Sequence, residues 1–138
     1  MTTTQLSSAK HEHLSRMYAA ISAGAQGDEL ASFFHPDAEQ IEYPSVMRPT
    51  GHRRNLAEMR AGAEVGATII RDQHYDVHTV IEDGDRVAVQ LTWTATVAVD
   101  LGQIPAGTAL VSHVAAFYLF RDGLVLQQSS YDCYEPIS

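Results

Sequence analysis

Two titratable side chains near the C-terminus, Asp132 and His113, give the strongest indication of chemistry in this sequence. They lie in strand-like runs on either side of Asp122-Gly123, and Asp-Gly between β-rich runs is typical of a two-residue type I′ hairpin. Counting outward from that turn pairs Arg121 with Leu124 and places His113 directly opposite Asp132. Because strand side chains alternate between faces, we expect the two on one face of the sheet. Such a pair could relay protons, and its two pKa values would be coupled.

Asp132 is the predicted acid/base. A carboxylate that faces an apolar interior loses hydration, which raises its pKa toward values useful for proton transfer, whereas a protonated His113 would hold it ionised. The alternative for Asp132 is an outward orientation or a hydrogen bond to a backbone amide at the strand end. The alternative for His113 is a place in the core or at an interface.

Large and polar side chains of the predicted sheet would line a pocket for a planar or apolar ligand if they face its interior. Ordinary core packing is the alternative for each aromatic residue. Gln128 shares a face with Asp132 and could orient a ligand carbonyl. Cys133 should face away from Asp132 and be buried. The predicted substrate-binding residues are Trp93, Phe117, Gln128, Tyr43 and Tyr134.

The sequence predicts no metal and no cofactor. His74, Asp76 and His78 share a strand face, but residues four apart on a strand are about 13 Å apart, so the two histidines cannot hold one ion. His11 and His13 lie two apart in a helix and point in different directions, so we interpret them as a solvated face. We find no glycine-rich phosphate loop and no nucleophile elbow.

The elements that position these residues follow from changes in hydrophobic period. Helical spacing in the N-terminal half gives way to a period of two after Ile69. This order predicts an α+β domain with three helices on one face of an antiparallel sheet. The predicted elements are a helix from Ala9 capped by Ser7-Ser8, a short helix after Asp28, a strand Glu39–Tyr43, a helix His52–Ala63, strands His74–Ile81 and Arg86–Val99, and the final hairpin.

Composition limits the partners. The 138 residues fit one domain, 1–138, with residues 1–7 as a flexible N-terminus. A formal net charge of −8 argues against nucleic acid and against an anionic membrane surface. No stretch approaches the ~18 apolar residues of a membrane span. Cys133 is the single cysteine, so no intrachain disulfide forms and a cytoplasmic location is expected.

Three stretches in this order and spacing resemble the nuclear transport factor 2-like superfamily and, within it, the SnoaL-like proteins. They are MYAAISAGAQGDELASFFHPDAEQIEYP, EDGDRVAVQLTW and FYLFRDGLVLQQSSYD, with Gly51 opening the third helix between the first two. The resemblance covers nearly the whole chain. It implies a cone-shaped, mostly antiparallel curved sheet wrapped around three N-terminal helices, a pocket inside the cone for a small apolar ligand, and a homodimer through the outer sheet face.

The resemblance also implies roles for two residues. SnoaL-like polyketide cyclases use an aspartate late in the last strand as acid/base, and Asp132 lies at a similar position. Ketosteroid isomerases, similar in fold, use a first-helix tyrosine to stabilise an oxyanion, and Tyr18 lies at a similar place, with core packing as the alternative. Tyr43, not an aspartate, precedes Pro44, and neither Ala116 nor Phe117 is acidic. Both departures argue against isomerase chemistry of that kind.

The leading hypothesis is a cofactor-independent acid/base enzyme, a cyclase, isomerase or dehydratase, acting on an apolar carbonyl compound such as a polyketide. Its catalytic residues would be Asp132, His113 and Tyr18. The alternative is a non-catalytic ligand-binding or dimerisation module of the same fold. The hypotheses differ in whether the cone holds an open pocket and whether Asp132 lies inside it.

Overall fold

Six strands form one curved sheet, and three helices cover one of its faces. The computed structural model describes residues 8–137; the predicted flexible N-terminus, 1–7, lies outside this range. The predicted α+β class and the mostly antiparallel sheet are confirmed. The elements are α1 (Ala9–Ser22), α2 (Gly27–Ala31), β1 (Phe34–Glu42), β2 (His52–Asn55), α3 (Leu56–Ile69), β3 (Ile70–Asp83), β4 (Arg86–Val97), β5 (Ala109–Arg121) and β6 (Leu124–Tyr134).

The strand order is β2-β1-β6-β5-β4-β3. All neighbouring pairs are antiparallel except β1 and β6, which run parallel. The N-terminal half of the chain thereby extends the sheet formed by the C-terminal half. No helix within residues 8–137 is long and apolar enough to cross a membrane.

Helix α1 begins as its sequence predicts. The Ser8 hydroxyl accepts a hydrogen bond from the backbone N–H of His11 at 3.1 Å, which satisfies one free donor of the first turn. The predicted solvated face is wrong at His13, which is buried. Its ring Nε2 is 2.9 Å from the carbonyl oxygen of Phe33, and the ring packs edge-on against Phe33 and Phe120.

The third helix begins at Leu56, not at His52. Residues His52–Asn55 instead form β2, which pairs with β1. The boundary is a capping box, because the Asn55 side chain accepts from the Glu58 N–H and the Glu58 carboxylate accepts from the Asn55 N–H, both at 2.9 Å. The Asn-x-x-Glu spacing therefore marks the start of α3, and the residues before the helix form a strand.

The core lies between the helices and one face of the sheet, which we call the helix-facing side. Strand β4 shows how it forms, because its alternating apolar residues point toward α1 while its polar ones point away. The opposite side of the sheet is called the outer face. The buried residues of the core between the helices and the helix-facing side include Leu14, Met17, Tyr18, Val87, Val89, Leu91, Ala116, Tyr118 and Val125.

The final hairpin has the predicted turn but not the predicted register. Asp122 and Gly123 have φ values of 55° and 77°, and Arg121 pairs with Leu124. The register then shifts, since Phe120 pairs with Val125 but Leu119 pairs with Gln127. Leu126 is the extra residue of a β-bulge.

A shift of one residue changes which side chains share a face. Beyond the bulge, His113 lies opposite Cys133, and Asp132 lies opposite Val114. The predicted pairing of His113 with Asp132 is therefore wrong. Asp132 stays on the helix-facing side, and His113 turns to the outer face.

We expect Gly51→Ala to lower the free energy of unfolding by about 3 kcal/mol, because left-handed backbone and a steric clash combine. Gly51 has a φ of +69°, and an added Cβ would lie 2.7 Å from the carbonyl oxygen of Glu42. Gly84→Ala is the matched control, since Gly84 has a φ of +59° with nothing within 4 Å, and should cost about 1 kcal/mol. Urea unfolding of both variants checks this, and equal losses would contradict the close approach at Gly51.

Candidate active site

A cavity in two parts lies between the helices and the helix-facing side of the sheet. The inner chamber, about 220 Å³, reaches Tyr18, Tyr118, Ser112, Ser130 and Asp132. The outer chamber, about 780 Å³, extends between α3 and the loop that carries Met47 and Arg48. The two chambers adjoin, because the same side chains contribute to the lining of both: Ile21, Gln40, Glu42, Gln73, Tyr75, Trp93, Gln128 and Tyr134.

Asp132 is the carboxyl group of the inner chamber whose pKa best suits acid/base chemistry. Its pKa is raised from 3.8 to about 6, chiefly by burial and in addition by the negative charge of Glu42, while a hydrogen bond from Ser130 lowers it. Loss of hydration is the main cause, because it disfavours the charged form. A carboxyl group with this pKa can both accept and donate a proton near neutral pH.

Glu42 is the second carboxylate in the cavity wall, and an arginine holds it. Its Oε1 lies 2.7 Å from Nη1 of Arg54, whose side chain is only 11% exposed, and its Oε2 lies 3.5 Å from Nε of Arg48. Such charge-assisted contacts compensate the charge of the carboxylate. The two carboxyl groups therefore have opposite environments, which separates their roles as in other acid/base sites.

Glu42 and Arg54 are not among the site residues predicted from the sequence. Glu42 alternates with Ile41 along β1, and this pattern could have placed Gln40 and Glu42 on one face. Arg54 could not have been found in this way, since its position was assigned to a helix. It also depends on Gly62 of α3, where an added Cβ would approach its Nε to 3.3 Å.

Three tyrosines form one wall of the inner chamber. The hydroxyl groups of Tyr18 and Tyr118 are 2.6 Å apart, and the Tyr18 ring stacks on Tyr75 with a centroid distance of 4.7 Å. Burial raises the pKa of Tyr18 to about 12 and also raises the pKa values of Tyr75 and Tyr118. All three phenols therefore keep their protons and can serve only as neutral hydrogen-bond donors or acceptors.

The remaining predicted cavity residues lie around the junction of the chambers. Trp93 donates from Nε1 to Oε1 of Gln73 at 3.0 Å and meets Tyr134 edge-on, with ring centroids 6.3 Å apart. Gln128 accepts from Nε2 of Gln40 at 3.3 Å. Burial, together with Asp132 and Glu42, raises the pKa of Tyr134 to about 12. Asp132, Tyr18, Trp93, Gln128 and Tyr134 thus surround one cavity.

Three predicted site residues lie outside the cavity. His113 is on the outer face, where its Nε2 is 2.7 Å from Oε2 of Glu135 and more than half of its side chain is exposed. Phe117 follows the same alternation along β5 and packs edge-on against Tyr131, which stacks on Tyr43 with centroids 4.5 Å apart. The prediction that Phe117 and Tyr43 line the cavity is wrong.

Two further expectations concern residues near these. Cys133 faces away from Asp132 as predicted, but it is exposed and not buried. His78 contacts the Thr92 hydroxyl at 2.8 Å on the exposed side of β3. Within residues 8–137, no three His, Cys, Asp or Glu side chains are grouped closely enough to hold a metal ion.

The arrangement of elements and the cavity beneath the sheet define a nuclear transport factor 2-like α+β roll. The model of the SnoaL-like domain family matches residues 14–128. The chain therefore belongs to the SnoaL-like domain family. No curated protein matches it in sequence.

Solved structures share this fold at low sequence identity. AclR from Streptomyces galilaeus, a candidate hydroxylase, is 21% identical with a TM-score of 0.71 over 89% of this chain and 87% of its own. IdmH from Streptomyces antibioticus, a candidate polyketide cyclase, is 18% identical with a TM-score of 0.72 over 89% and 91%. A nuclear transport factor 2-like protein of unknown function from Burkholderia pseudomallei is 17% identical with a TM-score of 0.70 over 91% and 92%. These likenesses show the fold, which hosts several chemistries.

We expect Glu42→Gln to lower the pKa of Asp132 below its value of about 6 in the unsubstituted protein, because a neighbouring negative charge is removed and Arg54 loses its partner. The matched control is Glu39→Gln, which removes the same charge from the same strand. Glu39 faces the other way and pairs with Arg53 at 3.1 Å. Carboxyl-carbon NMR titration, assigned with Asp132→Asn, measures both variants. An unchanged pKa in Glu42→Gln would show that the two carboxyl groups do not interact.

Proposed function

We propose that this protein is a cofactor-independent acid/base enzyme that moves protons next to a carbonyl group of a small apolar compound. Cyclisation, isomerisation and dehydration all begin with such a step, and a polyketide-like compound fits the reaction class. The observation that carries the proposal is the position of Asp132, a carboxyl group with a raised pKa in the wall of an aromatic-lined cavity.

In this mechanism ionised Asp132 accepts a proton from the carbon next to the substrate carbonyl. The electron pair of the broken C–H bond forms the enolate double bond, and negative charge collects on the carbonyl oxygen. A neutral phenol, Tyr18 or Tyr134, or the amide of Gln128 donates a hydrogen bond to that oxygen. Protonated Asp132 then returns its proton to the product, so the enzyme ends the cycle unchanged.

Glu42 and Arg54 support this chemistry without touching the reacting carbon. Glu42 forms an ion pair with Arg54, and its negative charge helps to raise the pKa of Asp132 to about 6. A base with a pKa near the working pH combines a large ionised fraction with a useful affinity for the proton. Trp93 and the stacked tyrosines supply apolar surface for the body of the substrate.

We expect the protein to exchange the acidic hydrogens of β-tetralone, a bicyclic ketone, for deuterium in D2O. The rate should rise with pH through about 6 and then level off, because only ionised Asp132 accepts a proton. Asp132→Asn should lower the rate at least about a hundredfold. Proton NMR of the ketone measures the exchange.

The control for this experiment is Asp76→Asn, which makes the same change on an exposed side chain of β3. Binding of the ketone is followed separately by the fluorescence of Trp93, the single tryptophan. Ketone that binds without exchange would contradict the enzymatic proposal and favour a ligand-binding module. Exchange that persists in Asp132→Asn would contradict the assignment of the base.

We also propose that the protein is a homodimer through the outer face. Ile81, Phe117 and Tyr131 are 63%, 47% and 46% exposed on this face. Ile81 pairs with Ala88, and Ala88 pairs with Phe117, so apolar side chains run side by side across three strands. A second copy of the same apolar surface is the partner that covers it by symmetry.

We expect Phe117→Asp to convert the dimer into a monomer, because a charge in the centre of an apolar interface is costly to bury. Sedimentation equilibrium at micromolar concentration measures the mass of each form. Val65→Asp is the control, since Val65 is 61% exposed on α3, away from the outer face. A monomeric unsubstituted protein would overturn the dimer proposal.

The proposed location is the cytoplasm. Cys133 is the single cysteine and its side chain is exposed as a free thiol. Free thiols persist in reducing compartments, which supports this location.

A further inference from the structure

One buried hydroxyl group in the cavity wall has no partner. Ser112 is only 1% exposed, and within residues 8–137 its Oγ has no hydrogen-bond partner. It lies on the helix-facing side of β5 and lines the inner chamber. Burying a hydroxyl without a partner costs free energy, and nearly all buried polar groups are paired.

The neighbours of Ser112 suggest what its partner is. In the register of the sheet, Ser112 lies between Trp93 of β4 and Tyr134 of β6. Both flanking side chains are aromatic, and their rings meet edge-on with centroids 6.3 Å apart. The two large rings therefore meet beside the small Ser112 side chain, and its hydroxyl lies covered at the chamber wall.

Asp132 lies diagonally across from Ser112 on the same face of the sheet. It pairs with Val114, the next residue of β5 on the same face after Ser112. Diagonal neighbours on adjacent strands are about 7 Å apart, which leaves room for a carbonyl group and its neighbouring carbon between the two side chains. The charged side chains that line the inner chamber, Glu42 and Asp132, are both acidic, so the chamber favours a neutral carbonyl compound over an anionic ligand.

We propose that Ser112 is a specificity-determining residue that donates a hydrogen bond to a neutral carbonyl oxygen of the substrate. This inference rests on the proposed function, because the bond would place the carbon next to that carbonyl beside Asp132. Ring atoms of the ligand then lie against Trp93 and Tyr134. Because the Ser112 hydroxyl is almost covered in the free protein, binding requires the Tyr134 ring, at the end of β6, to move aside.

The test compares two probes that differ in one oxygen, β-tetralone and the hydrocarbon tetralin, in the unsubstituted protein and in Ser112→Ala. The unsubstituted protein should bind β-tetralone more tightly than tetralin. Ser112→Ala should weaken β-tetralone binding about fivefold to tenfold and leave tetralin binding unchanged, because one hydrogen bond is lost. Trp93 fluorescence measures both affinities.

Stability separates this role from a structural one. If the partner of Ser112 is a ligand, Ser112→Ala removes an unpaired hydroxyl, so the urea midpoint of the free protein should stay the same or rise. If a permanently bound water is the partner, the midpoint should fall and the affinities should not change, which overturns the proposal. Equal weakening of the binding of both probes in Ser112→Ala also overturns the proposal. So does an unsubstituted protein that binds neither probe, or that binds both with equal affinity.

The kinetics of deuterium exchange distinguish this inference from the proposed function. Because the oxygen bound by Ser112 gains negative charge in the transition state, Ser112→Ala should lower kcat as well as raise KM. Exchange with both kcat and KM unchanged would overturn the role of Ser112 and leave the proposed function standing. If Ser112→Ala selectively loses β-tetralone binding while the unsubstituted protein catalyses no exchange, the role of Ser112 stands and the proposed function is overturned.

Discussion

The β-bulge at Leu126 determines which residues of the last two strands face the cavity. Before the bulge, Val125 lies on the helix-facing side; after it, Gln128, Ser130, Asp132 and Tyr134 do. Because side chains alternate with a period of two, one extra residue exchanges the two faces for the rest of the pairing. The bulge therefore allows the same two strands to form a tight two-residue hairpin at the turn and to present these four side chains to the cavity farther along. Without it, the partner of Asp132 would be His113 and not the apolar Val114.

The second constraint is that the two carboxyl groups of the cavity have different electrostatic environments. Glu42 is held by Arg54 at 2.7 Å and by Arg48 at the mouth, so its charge is compensated. Asp132 has no basic side chain among the causes that set its pKa, and it carries both the loss of hydration and the repulsion from Glu42. The parallel pairing of β1 with β6 brings these groups together, since Glu42 pairs with Ser130, two residues from Asp132. The sheet topology therefore creates the electrostatic asymmetry.

Local signals explain which parts of the structure could be predicted from the sequence. Asp122-Gly123 specified the turn, Ser8 specified the start of α1, and the change of period separated helices from strands. The cavity positions of Asp132 and Gln128 followed because both lie after the bulge, so their relation to each other did not change.

Relations between distant segments could not be read in the same way. His113 and Phe117 were placed on the wrong face because the bulge has no glycine or proline to mark it. The ion pair of Glu42 with Arg54 depends on β2, a four-residue strand that a helical pattern concealed. Each error concerns pairing between strands, where one residue of register changes the environment of every side chain that follows.

The inner chamber contains two features that lower stability, and both lie on the wall formed by β5 and β6. Asp132 has a pKa raised mainly by burial, and Ser112 has a buried hydroxyl without a partner. The adjacent positions on the same face of β5, Val114 and Ala116, are apolar, so this wall accommodates ordinary core residues. An apolar side chain at either position would remove the corresponding cost. These costs are concentrated on one wall of a cavity, beside aromatic rings and a carboxylate paired with arginine, where the proposed ligand would offset them by contacting these groups.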